Sequence, residues 1–80
     1  MSIPRTPVFS SSIASIGYSP ESTLDVELMR GGVYRYFDVP KDVYDALIRA
    51  ESIGAYFNRC VRPYYQHARV KEADFMQLQR

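Results

Sequence analysis

The sequence is poor in the residues that disulfide networks, metal centres and thiol or imidazole catalysis require. It has one cysteine, Cys60, one histidine, His67, and no tryptophan among its 80 residues. A single cysteine excludes an internal disulfide framework and fits a reducing compartment. A structural zinc site would lack half of its usual cysteine and histidine ligands. We therefore expect neither a bound metal nor a cofactor.

Long apolar runs and catalytic motifs are also missing. No stretch approaches the ~18 apolar residues of a membrane span, and residues 1–15 lack the basic start and apolar centre of a signal peptide. The expected location is the cytoplasm, with no membrane partner. The Gly31-Gly32 pair belongs to no phosphate-binding motif, and the serines from Ser10 to Ser12 have no glycine-flanked elbow. Because Cys60 is expected on the inward side of a helix, it should be unreactive, and we predict no enzyme activity.

The stretch Leu24 to Pro40 gives the clearest structural signal. Its apolar residues at 24, 26 and 28 alternate with acids, which is typical of a strand with one wet face. Gly31 and Gly32 allow the chain to reverse, and residues 33–39 return rich in β-branched and aromatic side chains. The alternation from Ser11 to Tyr18 predicts a further strand before this hairpin.

After Val39 the period changes from strand to helix. Pro40 suits the first helical position, Ser52 can cap a second helix, and Pro63 ends it. Gly54 is expected to allow a close crossing of the two helices, and Asn58 to be a buried amide. The inward stripes comprise Val43, Tyr44, Leu47, Ile48 and Ala50 in the first helix, and Ile53, Phe57, Cys60 and Val61 in the second.

These elements predict an α+β fold, a three-stranded antiparallel β-meander followed by two helices packed on one face. Residues 1–10 are expected to be an extended or flexible lead-in, residues 11–70 the folded domain, and residues 71–80 a frayed helix or disordered tail. A chain of this size forms one small core, with a stability of the order of 5 kcal/mol, to which dimerisation would add.

The loop of the central hairpin decides where Tyr34 and Tyr36 lie. An even loop places them with the acids on the wet face, whereas a three-residue loop places them with the leucines. We favour the even loop, which aligns Val33, Arg35 and Phe37 with the apolar face. On an exposed face the tyrosines would form a stacking platform for bases, and otherwise a helix or a second subunit would cover them.

Charge divides the chain into two parts. From Ser10 to Ser52 there are four bases and seven acids, a net charge of −3, whereas from Ile53 to Lys71 there are four bases and no acid, a net charge of +4. The basic part also contains tyrosines, and arginine forks with stacking rings suit a phosphate backbone with unstacked bases. A solvated basic face would look the same. The predicted binding residues are Tyr34, Tyr36, Arg59, Arg62, Tyr64, Tyr65 and Arg69.

Several blocks of sequence together resemble one family. They are SSIASIGY at residues 11–18, LDVEL at 24–28, GGVYRYFDVP at 31–40, SIGAYFN at 52–58, and the single residues Tyr44, Ala50, Arg62 and Tyr65. In order and spacing they resemble the KTSC domain, which occurs at the C-terminus of some lysyl-tRNA synthetases and as a stand-alone bacterial protein. The resemblance implies no aminoacylation, because no synthetase catalytic domain is present, and it suggests RNA as a ligand.

Two functions therefore remain open from the sequence. The first is a non-catalytic module that binds single-stranded or structured RNA. The alternative is a protein-interaction or homodimerisation module.

Overall fold

The computed structural model describes residues 3–70, which form one antiparallel sheet with helices on one face. The strands are β1 (Thr6–Pro7), β2 (Ile13–Ser19), β3 (Thr23–Leu28), β4 (Val33–Tyr36) and β5 (His67–Val70), in the spatial order β1-β2-β3-β4-β5. The helices are α1 (Lys41–Arg49) and α2 (Ile53–Tyr56), and α2 continues as a π-helical turn, Phe57–Val61. The α+β class is confirmed. The predicted meander corresponds to β2–β4, and its count of three omits the two outer strands.

Both omitted strands have weak sequence signals. β1 has only two residues, one of them a proline, and it lies within the predicted lead-in. β5 reads His-Ala-Arg-Val and is mostly exposed, so it has no apolar alternation to identify it. It pairs with β4 antiparallel, with His67 opposite Tyr36 and Arg69 opposite Tyr34. The predicted tail at 71–80 lies outside the described residues.

The prediction of an even loop in the central hairpin was wrong. The Leu28 amide donates to the Gly32 carbonyl at 3.0 Å, which leaves three residues in the loop, and the two glycines have φ values of +110° and +92°. The register therefore places Leu24 opposite Tyr36 and Val26 opposite Tyr34. The tyrosines consequently share the helix-covered face with the leucines, as the three-residue alternative required.

A β-bulge in β2 also changes the assignment of a face. The pairing shifts between Ile13 and Ser15, so that Ile13 lies opposite Leu28 while Ile16 lies opposite Val26. Strict alternation would place Ile13 and Ile16 on opposite faces, because three residues separate them. The extra residue allows both isoleucines to enter the core, where they are 1% and 3% exposed.

The helices bury the predicted stripes only in part, because Val43, Tyr44, Ala50 and Cys60 are half-buried. Leu47 is fully buried in α1, but Ile48, expected inward, is 40% exposed, and Pro40 is the N-cap residue instead of the first helical residue. In the second helical segment Ile53, Phe57 and Val61 are buried, as predicted. The continuous core consists of Ile13, Ile16, Leu24, Val26, Tyr36, Val39, Leu47, Ile53, Phe57 and Val61.

The opposite face of the sheet has a polar centre. Asp25 is 1% exposed and accepts two hydrogen bonds from Arg35, at 2.8 Å from Nε and 2.9 Å from Nη2. The pKa of Arg35 is raised, chiefly by this hydrogen bonding, with burial acting in the opposite direction and the charge of Asp25 adding to the increase. The chain from Ile3 to Arg5 crosses beside Gly17, where a Cβ atom would collide with the Pro4 carbonyl. On this face the segment from Ile3 to Arg5 therefore packs on the sheet, and the centre of the face is occupied by the ion pair of Asp25 and Arg35.

The longest helix among residues 3–70 has nine residues and is too short to cross a bilayer.

Candidate functional site

A cleft of about 460 Å³ opens on the helix-covered side of the sheet, between β4 and the π-helical turn. We refer to it as the β4 cleft. The described residues that line it are Ser11, Ser12, Ile13, Leu28, Met29, Arg30, Tyr34, Tyr36, Phe57, Asn58, Arg62 and His67. Its volume lies within the range of ordinary small-ligand sites.

Tyr36 is both a core residue and a wall of the β4 cleft. Its ring meets Phe57 edge to face, with 5.3 Å between centroids, and packs on His67 at 4.9 Å. Burial raises the pKa of Tyr36, the charge of Arg62 opposes that shift, and Tyr34 adds to it. The Tyr36 hydroxyl therefore stays protonated in the neutral pH range. Because the side chain is only 3% exposed, it cannot be the open stacking platform that the sequence suggested.

Tyr34 is more accessible than Tyr36. It is half-buried, and the guanidinium carbon of Arg69 lies 5.9 Å from its ring centroid. His67 approaches the same ring edge on, at 6.1 Å. The register explains this group, because Tyr34 and Tyr36 lie opposite Arg69 and His67 across the β4–β5 pair. A cation and aromatic rings therefore lie side by side at the open edge of the cleft.

The π-helical turn supplies the wall that faces the sheet. The Arg62 amide donates to the Phe57 carbonyl at 2.9 Å, a five-residue spacing that widens the helix. Such turns occur often at functional sites. Asn58 was predicted to be a buried amide, but it is exposed, and its Oδ1 accepts from Arg62 Nη1 at 3.4 Å. The turn thus presents an amide and a guanidinium to the cleft.

The serine loop before β2 forms the third side. Ser10 Oγ accepts from the amides of Ser12 and Ile13, both at 3.2 Å, and the Ser12 carbonyl accepts from the Met29 amide at 2.9 Å. Gly54 was expected to allow the two helices to cross. Its neighbour is instead Ser12, whose Oγ occupies the place that a Cβ at Gly54 would need. The absent side chain therefore allows this loop to approach α2.

The lining of the β4 cleft is basic. Arg30, Arg62 and His67 line it with exposed side chains, and none of the described lining residues is acidic. Neutral hydroxyl and amide groups complete the polar part. The arrangement suits an anion that also has a planar or apolar portion.

The structure brings together only part of the predicted set. Tyr34, Tyr36 and Arg62 line the cleft and Arg69 lies beside it. Arg59 is exposed outside the cleft, Tyr64 is 74% exposed, and Tyr65 is half-buried against the core. The predicted set lacked the lining residues Ser11, Ser12, Arg30, Asn58 and His67. Three of these, Ser11, Ser12 and Asn58, lie in the sequence blocks that resemble the KTSC family. Membership of those blocks is the sequence feature that could have identified them as site residues.

Comparison with known proteins identifies the family. The model of the KTSC domain matches residues 9–65, which is most of the chain. The chain belongs to the KTSC domain family. The crystal structure of a KTSC domain protein from Yersinia pestis is similar to it, with a TM-score of 0.83 and 30% identity, covering 88% of this chain and 100% of that one.

Two bacterial sequences extend this relationship. An uncharacterized protein from Stutzerimonas stutzeri (strain A1501) is 43% identical over 68 residues, which are 82% of this chain and 96% of the relative. A protein from Tsukamurella paurometabola is 41% identical over 61 residues, covering 75% and 91%. Stand-alone KTSC domains of similar length therefore occur in bacteria, and the names of these two relatives state no catalytic activity.

Proposed function

We propose that this KTSC domain is a non-catalytic module that binds single-stranded RNA in the β4 cleft. The observation that supports this most strongly is the lining, which combines Arg30, Arg62 and His67 with aromatic walls and, among the described residues, has no acid. RNA has a phosphate at each nucleotide and a base that can leave the stack. Both parts of a nucleotide thus find suitable partners in one cleft.

The shape of the site favours unpaired RNA over a duplex. Bases must be unstacked before they can contact aromatic side chains, and the deep major groove of A-form RNA excludes those side chains. Tyr34 lies inside a cleft, whereas Tyr64 is 74% exposed outside it. Only an unpaired base offers a free face to the Tyr34 ring. Structured RNA would therefore bind through its loops.

The alternative is a homodimer or a protein complex formed at a sheet edge. Among the described strands, β5 is an outer strand, so a partner strand could add to it. Its exposed residues include His67 and Arg69. Charged side chains on an edge strand oppose pairing with a second copy, because the paired strands would bring like charges close together. This favours an anionic ligand over a second copy of the chain.

Fluorescence anisotropy with a mixed-sequence single-stranded RNA at low salt tests the proposal. We expect Arg62→Gln to weaken binding of all sequences similarly and to flatten the salt slope by about one, because arginine on phosphate positions the strand without reading bases. Arg49→Gln, which removes the same charge from the exposed end of α1, is the matched control and should change little. A duplex should bind more weakly.

Binding weaker than about 100 µM at 50 mM salt would contradict the RNA proposal, since even non-specific nucleic-acid binding usually exceeds that affinity. Sedimentation of the same sample would then test the protein-interaction alternative. A concentration-dependent dimer would favour it.

A further inference from the structure

The two arginines that line the β4 cleft belong to its opposite ends. Arg30 lies in the loop before β4, whereas the Arg62 amide donates a hydrogen bond to the carbonyl of Phe57, whose ring packs on Tyr36, the last residue of that strand. From Gly32 to Tyr36 the strand advances four residues, or roughly 13 Å at about 3.3 Å per residue. The two arginines therefore approach the cleft from the two ends of β4.

Between these two ends the described lining contains no arginine, lysine or acid. Leu28, Tyr34, Tyr36 and Phe57 supply apolar and aromatic surface, while Ser12 and Asn58 supply neutral polar groups. A ligand that fills the cleft should therefore have a planar or apolar centre and a negative charge at each end. The volume of about 460 Å³ limits it to the size of a small molecule.

We propose that the β4 cleft holds one nucleotide together with both of its flanking phosphates, one at Arg30 and the other at Arg62. The ligand class is a nucleoside 3′,5′-bisphosphate unit, which is present both as a free nucleotide and as each internal nucleotide of an RNA strand. The inference rests on the proposed function and adds to it that an internal nucleotide, instead of a strand end, occupies the cleft. Its base packs against the rings of Tyr34 and His67.

Calorimetric titration of the full chain with three nucleotides tests this inference. The probes are adenosine 5′-monophosphate, adenosine 3′-monophosphate and adenosine 3′,5′-bisphosphate. We expect the bisphosphate to bind at least about tenfold more tightly than either monophosphate, since each arginine–phosphate contact is a charge-assisted hydrogen bond. Arg30→Gln and Arg62→Gln should each reduce this preference to less than about threefold.

Arg59→Gln is the matched control for charge. Arg59 is exposed on the same π-helical turn as the cleft wall but does not line the cleft. Its loss should leave the preference for the bisphosphate unchanged. An equal loss in all three variants would indicate a general effect of net charge and would overturn the inference. Equal affinity for the bisphosphate and the monophosphates in the unmodified chain would overturn it as well.

Competition with labelled single-stranded RNA separates this inference from the proposed function. RNA binding without a preference for the bisphosphate would reject the two-phosphate cleft and retain the RNA module. A preference for the bisphosphate without RNA binding would retain the cleft assignment, identify a free nucleotide as the source, and reject the RNA module. Displacement of RNA by the bisphosphate, lost in Arg30→Gln, would support both.

Discussion

Tyr36 shows how one residue can serve both the core and the site. Its ring lies between Phe57 and His67 and is almost fully buried, while the same residue contributes to the lining of the β4 cleft. Removing the ring would damage the fold before any effect on a ligand could be measured. Removing only the hydroxyl separates the two roles.

We therefore expect Tyr36→Ala to lower the free energy of unfolding by about 3–5 kcal/mol, the usual cost of truncating a buried aromatic ring. Tyr36→Phe keeps the ring and should cost less than about 1.5 kcal/mol. Urea unfolding of both variants followed by circular dichroism measures the difference. Similar stability of the alanine variant and the unmodified chain would show that the Tyr36 ring is not a core element.

The buried ion pair of Asp25 and Arg35 allows a second prediction at the scale of single residues. The Asp25 carboxylate is buried and accepts two hydrogen bonds from Arg35, so Asp25→Ala should remove this charge-assisted pair and cost about 1.5–3 kcal/mol. The control is Asp45→Ala, which breaks the more exposed pair with Lys41 and should cost about 0–1 kcal/mol. Thermal melts at neutral pH compare them. Equal losses of stability in the two variants would indicate that the Asp25 carboxylate is exposed to solvent.

At the scale of elements, the periodic segments were predictable and the connections were not. The change from alternation to helical spacing at Val39 identified α1. In the second helix, three of the four residues assigned to the stripe are buried and Cys60 is half-buried. The two faces of the second hairpin strand were assigned the wrong way round. One residue more or less in the loop moves every side chain of that strand to the other face of the sheet. The bulge at Ala14 is also invisible to alternation, since only the pairing with β3 reveals it.

The stripe of α1 can be tested directly. Leu47 is fully buried against the sheet, so Leu47→Ala should cost about 2–5 kcal/mol through the cavity it creates. Arg49 lies at the exposed end of the same helix, so Arg49→Ala should lower the free energy of unfolding by less than about 1 kcal/mol. Denaturant midpoints of the two variants give both values. Equal costs would mean that α1 is rotated from the orientation described.

At the scale of the whole molecule, the β4 cleft unites parts that are far apart in the chain. The serine loop contacts both the hairpin loop and α2, and β5 joins them because it returns to pair with β4. The sequence indicated a basic and aromatic C-terminal segment correctly. It could not show that this segment forms a strand, and so His67 and Arg30 could not be placed in one site with Arg62.

The measurement that most directly tests RNA binding in the cleft is a titration of the isotope-labelled chain with single-stranded RNA, followed by amide chemical shifts. We predict that the largest changes fall on Ser12, Arg30, Asn58 and His67, which come from four separate segments and share only the β4 cleft. The amides of α1, away from the cleft, should change little. Absence of shifts, or shifts confined to α1 and the Asp25 face, would contradict the assignment of the β4 cleft as an RNA-binding site.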